Sequence, residues 1–259
     1  MKYAEMPRMN RETNRSMSRS SSLTFSPLYR QIKELMIKGL EAGEWGPGDA
    51  IPSEAELAVR FNVSQGTVRK AIDEMAAENL LLRRQGKGTF VATHSDPRSF
   101  FRFLRLMPDD GRPAHYQSEP LACRHDEASP EAAALLHIQP GDPVVLIERL
   151  LCWEGKPVVL DEICLVGEFF SGLTFERLRT YERSLYSLFE TGFGVRMVRA
   201  EERLRAIPAE SHPAGRLAIQ PGDPLLLVER VAYTYGNRPV EWRRGYYCTE
   251  HHHYMNELS

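Results

Sequence analysis

The chain is 259 residues long, enough to bury a sizeable core and to divide into two domains. With 42% hydrophobic and 26% charged residues it has an ordinary globular composition, and no apolar run approaches the ~18 residues of a membrane span, so no membrane partner is expected. The net charge of −2 excludes a uniformly basic nucleic-acid binder but conceals an asymmetry: residues 1–22 carry +3, residues 23–92 are neutral and the remainder carries −5.

Residues 1–22, MKYAEMPRMNRETNRSMSRSSS, are rich in Ser and Arg and lack periodicity, the pattern of a disordered tail. They carry positive charge without an apolar core, which argues against a secretory signal. Cys123, Cys152, Cys164 and Cys248 are scattered with no C-x-x-C pair, as expected of free thiols in a reducing cytoplasm. A first domain is expected over 23–91. PLYRQIKELMIKGLEAG opens with proline, spaces Leu28, Ile32, Leu35, Met36 and Leu40 at helical intervals, and stops at Gly43. SEAELAVRF sets Ser53 and Glu56 three apart, a capping box that starts a second helix. After the short turn NV, SQGTVRKAIDEMAAEN puts Val68, Ile72 and Met75 on one face and leaves Gln65, Arg69 and Lys70 turned elsewhere, towards a partner. LLLRRQGKGTFV then reads as two strands around a small basic tip at 85–88.

Helix, helix, tight turn, helix, hairpin is the order of a winged helix-turn-helix. In such a domain the second helix crosses the phosphate backbone and the third enters the major groove. The wing lays Arg83, Arg84 and Lys87 along the backbone or a minor groove. The segments PLYRQIKELMIKG, PGDAIPSEAELAVRFNVSQGTVRKAIDEMAAENLL and RRQGKGTFV resemble, almost without a gap over 27–91, the N-terminal domain of GntR-type bacterial transcription regulators. That resemblance implies double-stranded operator DNA as partner. It implies contacts from Ser53 and Glu54, from Ser64, Gln65, Gly66, Thr67 and Arg69, and from Gln85, Gly86 and Lys87. Gln65 stands where many members have arginine, and an amide suits adenine whereas a guanidinium suits guanine.

Residues 92–99, ATHSDPRS, read as a linker, and 100–259 as a second domain onto which Phe100, Phe101 and Phe103 pack it. The hexapeptide IQPGDP occurs twice, at 138–143 and 219–224. In each copy Pro-Gly supplies a type II turn. An apolar strand follows (VVLIERL, LLLVERV), then a second turn (EGKP, GNRP) and a return strand (VVLDEICL, VEWRRGYY). Between the copies lie LTFERL, the helix-like SLYSLFETGFG and the strand-like RAEERLRAI. These elements describe an antiparallel sheet of two related halves with helices alongside, an α+β domain. Glu148 and Arg149 interrupt the first apolar strand, Glu229 and Arg230 the second, and each buried charge needs either a cross-strand partner or an anionic ligand. Cys248, His251, His252 and His253 are metal-ligand types. No second cluster accompanies them, and neither a metal nor a cofactor is expected.

IERLLCWEGKPVVLDEICL, SLYSLFETGFG and PVEWRRGYY resemble the UTRA effector-binding domain of the HutC subfamily of GntR regulators over roughly residues 98–256. The resemblance implies a chorismate-lyase-like sheet with a ligand cleft between its halves. It implies effector contacts from Arg149, Asp161, Ser184, Tyr186, Glu241 and Tyr247. Sugar-phosphate-sensing members carry R-x-R on the first strand. This chain has Arg149 and Leu151, which points to a carboxylate or another small polar metabolite, with Arg243 a further cation if it faces inwards. The expectation is a cytoplasmic, homodimeric, ligand-responsive regulator, a repressor released from a palindromic operator rather than an enzyme. The competing possibility is a lyase-like enzyme with a DNA-binding anchor.

Overall fold

The computed structural model describes residues 26–95 and 103–256. The expected tail at 1–22, residues 96–99 of the expected linker, Phe100 and Phe101 lie outside this range. The first unit comprises α1 (Leu28–Glu41), α2 (Glu54–Phe61), α3 (Gln65–Ala77) and the hairpin β1 (Leu81–Arg84) and β2 (Gly88–Val91). The capping box forms as expected: the Glu56 amide donates to Ser53 Oγ, and the Ser53 amide donates to Glu56 Oε2 at 2.8 Å. Ser53→Ala removes the cap and is expected to cost about 1 kcal/mol, read as a lower urea midpoint of this unit. Asn62, with φ of +52°, turns the chain sharply out of α2. Two residues on, Ser64 caps α3 by accepting from the Thr67 amide at 3.2 Å. The core joins Ile32, Met36 and Leu40 to Leu57, Val68, Ile72 and Met75. The apolar stripe of α1 is narrower than its sequence implies, because Leu28 and Leu35 are 51% and 48% exposed. Seven residues apart, they run along the flank of the helix and miss the face that α3 covers.

The second unit is built on one six-stranded antiparallel sheet. Its strands are β4 (Gln117–Glu127), β5 (Pro143–Trp153), β6 (Lys156–Val166), β7 (Arg199–Pro208), β8 (Pro224–Tyr233) and β9 (Pro239–Tyr247). Their order across the sheet is β4-β5-β6-β9-β8-β7, so one half is the other rotated about the β6–β9 seam. The two hexapeptides build the same turn. Asp142 N bonds Gln139 O and Asp223 N bonds Gln220 O, both at 3.1 Å. Gly141 and Gly222 occupy φ of +90° and +95°, which a type II turn demands at that position. Each aspartate then folds back, Asp142 Oδ2 accepting from Gln139 N and Asp223 Oδ2 from Gln220 N. The duplication reaches further upstream than the hexapeptide. Each turn follows an edge strand, β4 or β7, and a short helix, α4 (Pro130–Leu136) or α7 (Ser211–Leu217). Between the halves lie α5 (Phe175–Thr180) and α6 (Leu185–Phe193), which cover one sheet face through Phe170, Phe189, Val145, Ile163 and Leu165. A small two-stranded sheet pairs β3 (Leu106–Pro108) with β10 (His252–Tyr254).

The two units touch. Tyr235 and Val198 of the second pack against the core of the first. Arg196 reaches across to donate to Asn79 O at 2.9 Å and Leu80 O at 3.3 Å, just beyond α3. No described helix is long and apolar enough to cross a membrane.

Candidate functional site

Two concave regions collect the residues singled out by sequence. The first is a groove of about 610 Å³ between the start of α2, the start of α3 and the wing. Ser53, Glu54, Gln65, Arg83, Arg84, Gln85, Gly86 and Lys87 line it. Ser64, Gly66, Thr67 and Arg69 do not, although Ser64 and Thr67 shape the rim by capping α3. Gly86 and Gly88 hold the wing tip in the left-handed region, at φ of +69° and +109°. Glu54 gathers the cations of this face, accepting from Arg69 at 2.9 Å and Arg83 at 3.2 Å, while Asp73 also takes Arg83 at 2.7 Å. These pairs lie at the surface and are individually worth little, so a phosphate could displace the carboxylates at small cost. Lys70 turns away onto the Tyr29 ring, 4.0 Å from its centroid. What remains is a small, hydrogen-bonding, net cationic face with an exposed helix N-terminus, suited to a duplex backbone and the base edges beneath it.

The second region is a cavity of about 770 Å³ in the second unit. Arg149, Arg230 and Arg243 converge on it, with Tyr186, Ser184 and Leu151 on the walls. The repeat explains the convergence. Position for position Arg149 is the counterpart of Arg230, and Asp161 of Arg243. In register, Arg149 sits opposite Asp161 and Arg230 opposite Arg243. Three arginines and one aspartate thus occupy four symmetry-related positions. Asp161, Glu241 and Tyr247 do not line the cavity; they lie buried behind the arginines. Asp161 Oδ2 accepts from Arg149 Nη2 at 2.8 Å and from Arg243 Nη1 at 3.0 Å. Glu241 accepts from Arg243 Nε at 3.0 Å and from the Tyr186 hydroxyl at 2.8 Å. Arg230 pairs with Glu202, donating from Nε at 2.7 Å, and its Nη2 donates to the carbonyl of Phe103. Glu148 and Glu229 point to the other sheet face, meeting Arg216 at 2.7 Å and Arg205 at 3.7 Å. The buried arginines therefore both find carboxylates and face a cavity, which joins the two readings the sequence left open.

The three guanidiniums are not equally compensated. Burial opposes charge on all of them. At Arg243 the neighbouring Glu241 and Asp161 outweigh burial and hold the group above its ordinary value. Arg230 is likewise held well above it despite burial, by Tyr186, Tyr247 and Glu202. At Arg149 burial prevails over Asp161, aided by repulsion from Arg243, and the group is pushed down. Arg149 is the cation that gains most from an added anion, and its Nη1 makes only a 3.4 Å contact with Ser118 Oγ.

Arg230 lines the cavity although it was not among the residues named for the effector, and its partner Glu202 was not singled out at all; the repeat was the signal, since Arg230 occupies the position of Arg149. His94 and Ser95 also line the cavity, although they fall in the expected linker. Among the described residues no cluster of three or more His, Cys, Asp or Glu is placed to hold a metal ion. His252 is buried beside Tyr116 and Trp153, and His253 Nδ1 lies 2.7 Å from Asp109.

A winged helix-turn-helix joined to a duplicated sheet with a charged cavity defines a DNA-binding protein with a second, cavity-bearing domain. Residues 28–91 match the model for bacterial regulatory proteins of the gntR family, and residues 111–253 match the UTRA domain. The chain belongs to the GntR family of bacterial transcription regulators, in the group that carries a UTRA domain. It is 27% identical over 237 residues to the HTH-type transcriptional repressor NagR of Bacillus subtilis, covering 90% of this chain and 96% of that one. It is 27% identical over 221 residues to the histidine utilization repressor of Pseudomonas putida, covering 83% and 85% respectively. Among solved structures, it resembles the ligand-binding domain of a GntR-family transcriptional regulator from Bordetella bronchiseptica with 47% identity and a TM-score of 0.58. That match covers 61% of this chain and 98% of the other.

Proposed function

We propose that the chain acts as a cytoplasmic homodimeric repressor that leaves a palindromic operator when a small carboxylate enters the cavity of the second domain. The observation that carries the ligand class is the under-compensated Arg149 beside Leu151. Leu151 leaves the first strand with one guanidinium, and the other two arginines on the cavity are already engaged, Arg230 by Glu202 and Arg243 by Glu241 and Asp161, so the freest edge is a single one, which suits a carboxylate. Ser184, Tyr186 and Arg243 line the same cavity and complete the contact set, while Asp161 and Glu241 act from behind by holding the arginines and Tyr247 packs buried behind them. Repression is supported by relatives named as repressors, and the dimer by the two-fold symmetry that a pair of recognition helices imposes on DNA. Binding without turnover is supported by the state of the buried acids: Asp161 and Glu241 both serve as counter-ions to arginine, so neither is available as a base beside a nucleophile.

The test uses the full chain. An operator is selected from random duplexes, and short carboxylates (acetate, lactate, succinate, glutarate) are titrated into the complex. Release by one of them with no product formed, and a two-to-one complex with the duplex, are the expected results. Tighter operator binding on addition of the carboxylate would refute derepression, and turnover would favour the lyase-like reading. On the selected operator, Lys87→Ala should weaken binding for all sequences alike and reduce the salt slope by about one. Gln65→Ala should cost about 1–3 kcal/mol and relax preference at one base pair, read by competition between operator variants.

A further inference from the structure

The segment at 93–95 is seated on α6. Thr93 Oγ1 donates to Glu190 Oε2, the His94 amide donates to the same oxygen at 2.9 Å, and Ser95 Oγ lies 3.1 Å from Ser187 Oγ. Ser187 and Glu190 are one turn apart on a single face of the helix. The first turn of that helix and its cap, with Ser184 and Tyr186, form a wall of the cavity. The His94 ring sits 5.4 Å from that of Tyr186, and His94 and Ser95 line the cavity beside Arg149. On its other side Glu190 Oε1 lies 3.5 Å from Arg196 Nε. Arg196 is the residue that donates to Asn79 O and Leu80 O beyond α3. Cavity, tether and the base of the DNA-reading helix therefore meet within about one turn of α6.

Glu190 is 4% exposed, so its charge depends on the donors that surround it. Lifting 93–95 would strip two of them from one oxygen in a buried site, so the seated segment is a discrete state rather than one of many loop conformations. Burial pushes the Glu190 carboxyl above its ordinary value even with Thr93, Arg196 and the His94 amide opposing it.

We propose that His94 and Ser95 are part of the effector site itself, and that Glu190 latches this segment so that an occupied cavity changes how the DNA-binding domain is held. The proposal rests on the cavity being the effector site. It assigns His94 a ligand-contacting role and Glu190 a positioning role, acting on the operator only through residues 93–95 and Arg196. The coupling needs no long pathway, since one helix bears both contacts.

The full chain, the selected operator and whichever carboxylate in the panel binds decide the matter. His94→Ala should weaken carboxylate binding by on the order of tenfold in calorimetry. Glu190→Gln should weaken carboxylate binding less than His94→Ala does, yet reduce the ligand's effect on operator affinity by roughly tenfold. Wild-type ligand binding in His94→Ala, or wild-type coupling in Glu190→Gln, overturns the proposal while leaving the cavity reading intact. Undiminished carboxylate binding in Arg149→Ala overturns the cavity reading instead. Hydrogen exchange on the ligand-free chain tests the latch even if no carboxylate binds. Glu190→Gln and Thr93→Val should accelerate exchange at the His94 amide and at 79–81, while β5 and β6 stay protected. Unchanged exchange in both variants overturns the latch.

Discussion

Asp161→Ala should destabilise the second domain by about 3–5 kcal/mol, the range for removing one partner of a buried ion pair. The side chain is 1% exposed and a single oxygen serves two guanidiniums, those of Arg149 and Arg243. Arg243 keeps Glu241, whereas Arg149, already the least compensated of the three, is left with the Ser118 hydroxyl. Urea denaturation of the full chain measures the loss, and a change below ~1 kcal/mol would mean that water replaces the carboxylate. The pH dependence has a definite sign. Burial alone would raise the Asp161 pKa, but Arg243 and Arg149 together hold it below the ordinary aspartate value. Its stabilisation is therefore fully present above that ordinary value and is lost as pH falls through the lowered one.

Phe189→Ala should cost a similar ~3–5 kcal/mol, for an apolar reason. Phe189 is fully buried on the inner face of α6, its ring centroid 4.6 Å from Phe170 and 6.1 Å from Tyr186. The cavity left behind lies under the helix that turns Ser187 and Glu190 towards residues 93–95 and Tyr186 into the cavity wall. Thermal denaturation reads the stability, and hydrogen exchange along α6 shows whether the helix loosens. Phe189→Leu, which retains most of the volume, should recover much of the loss.

Much of the first domain is legible in sequence because its determinants are local. Ser53 with Glu56, the Asn62 turn and the glycines of the wing each fix geometry within four residues, and α2, α3 and the hairpin form where those signals lie. The α1 stripe is less so, since whether Leu28 and Leu35 are covered depends on the reach of α3. In the second domain the hexapeptide declares its turns and strands. Alternation along a strand tells which residues share a face, but not which strand of the other half lies alongside. The seam between β6 and β9 brings Arg243 to Asp161, residues 82 apart in sequence that no local pattern connects. For the same reason Asp161 and Glu241 could be named for the site but not placed behind its arginines. The seat of 93–95 on α6 is illegible in the sequence, because a short polar segment reads as a spacer until a buried carboxylate is found accepting from its amide.

The seam has a historical consequence. Glu162 and Arg244 are counterparts in the repeat and also direct partners across β6 and β9, where the axis relating the halves passes. In an ancestor made of two identical copies this position would have faced itself, setting glutamate against glutamate or arginine against arginine, an unfavourable pairing. With both halves in one chain, the two positions can carry different residues. The present chain carries opposite charges there, 3.8 Å apart, and again at Asp161 and Arg243, 3.0 Å apart. The same inequality gives the cavity a polarity that two identical halves could not possess. A molecule with one anionic end would meet different neighbours in each of its two orientations, so such a cavity can tell head from tail.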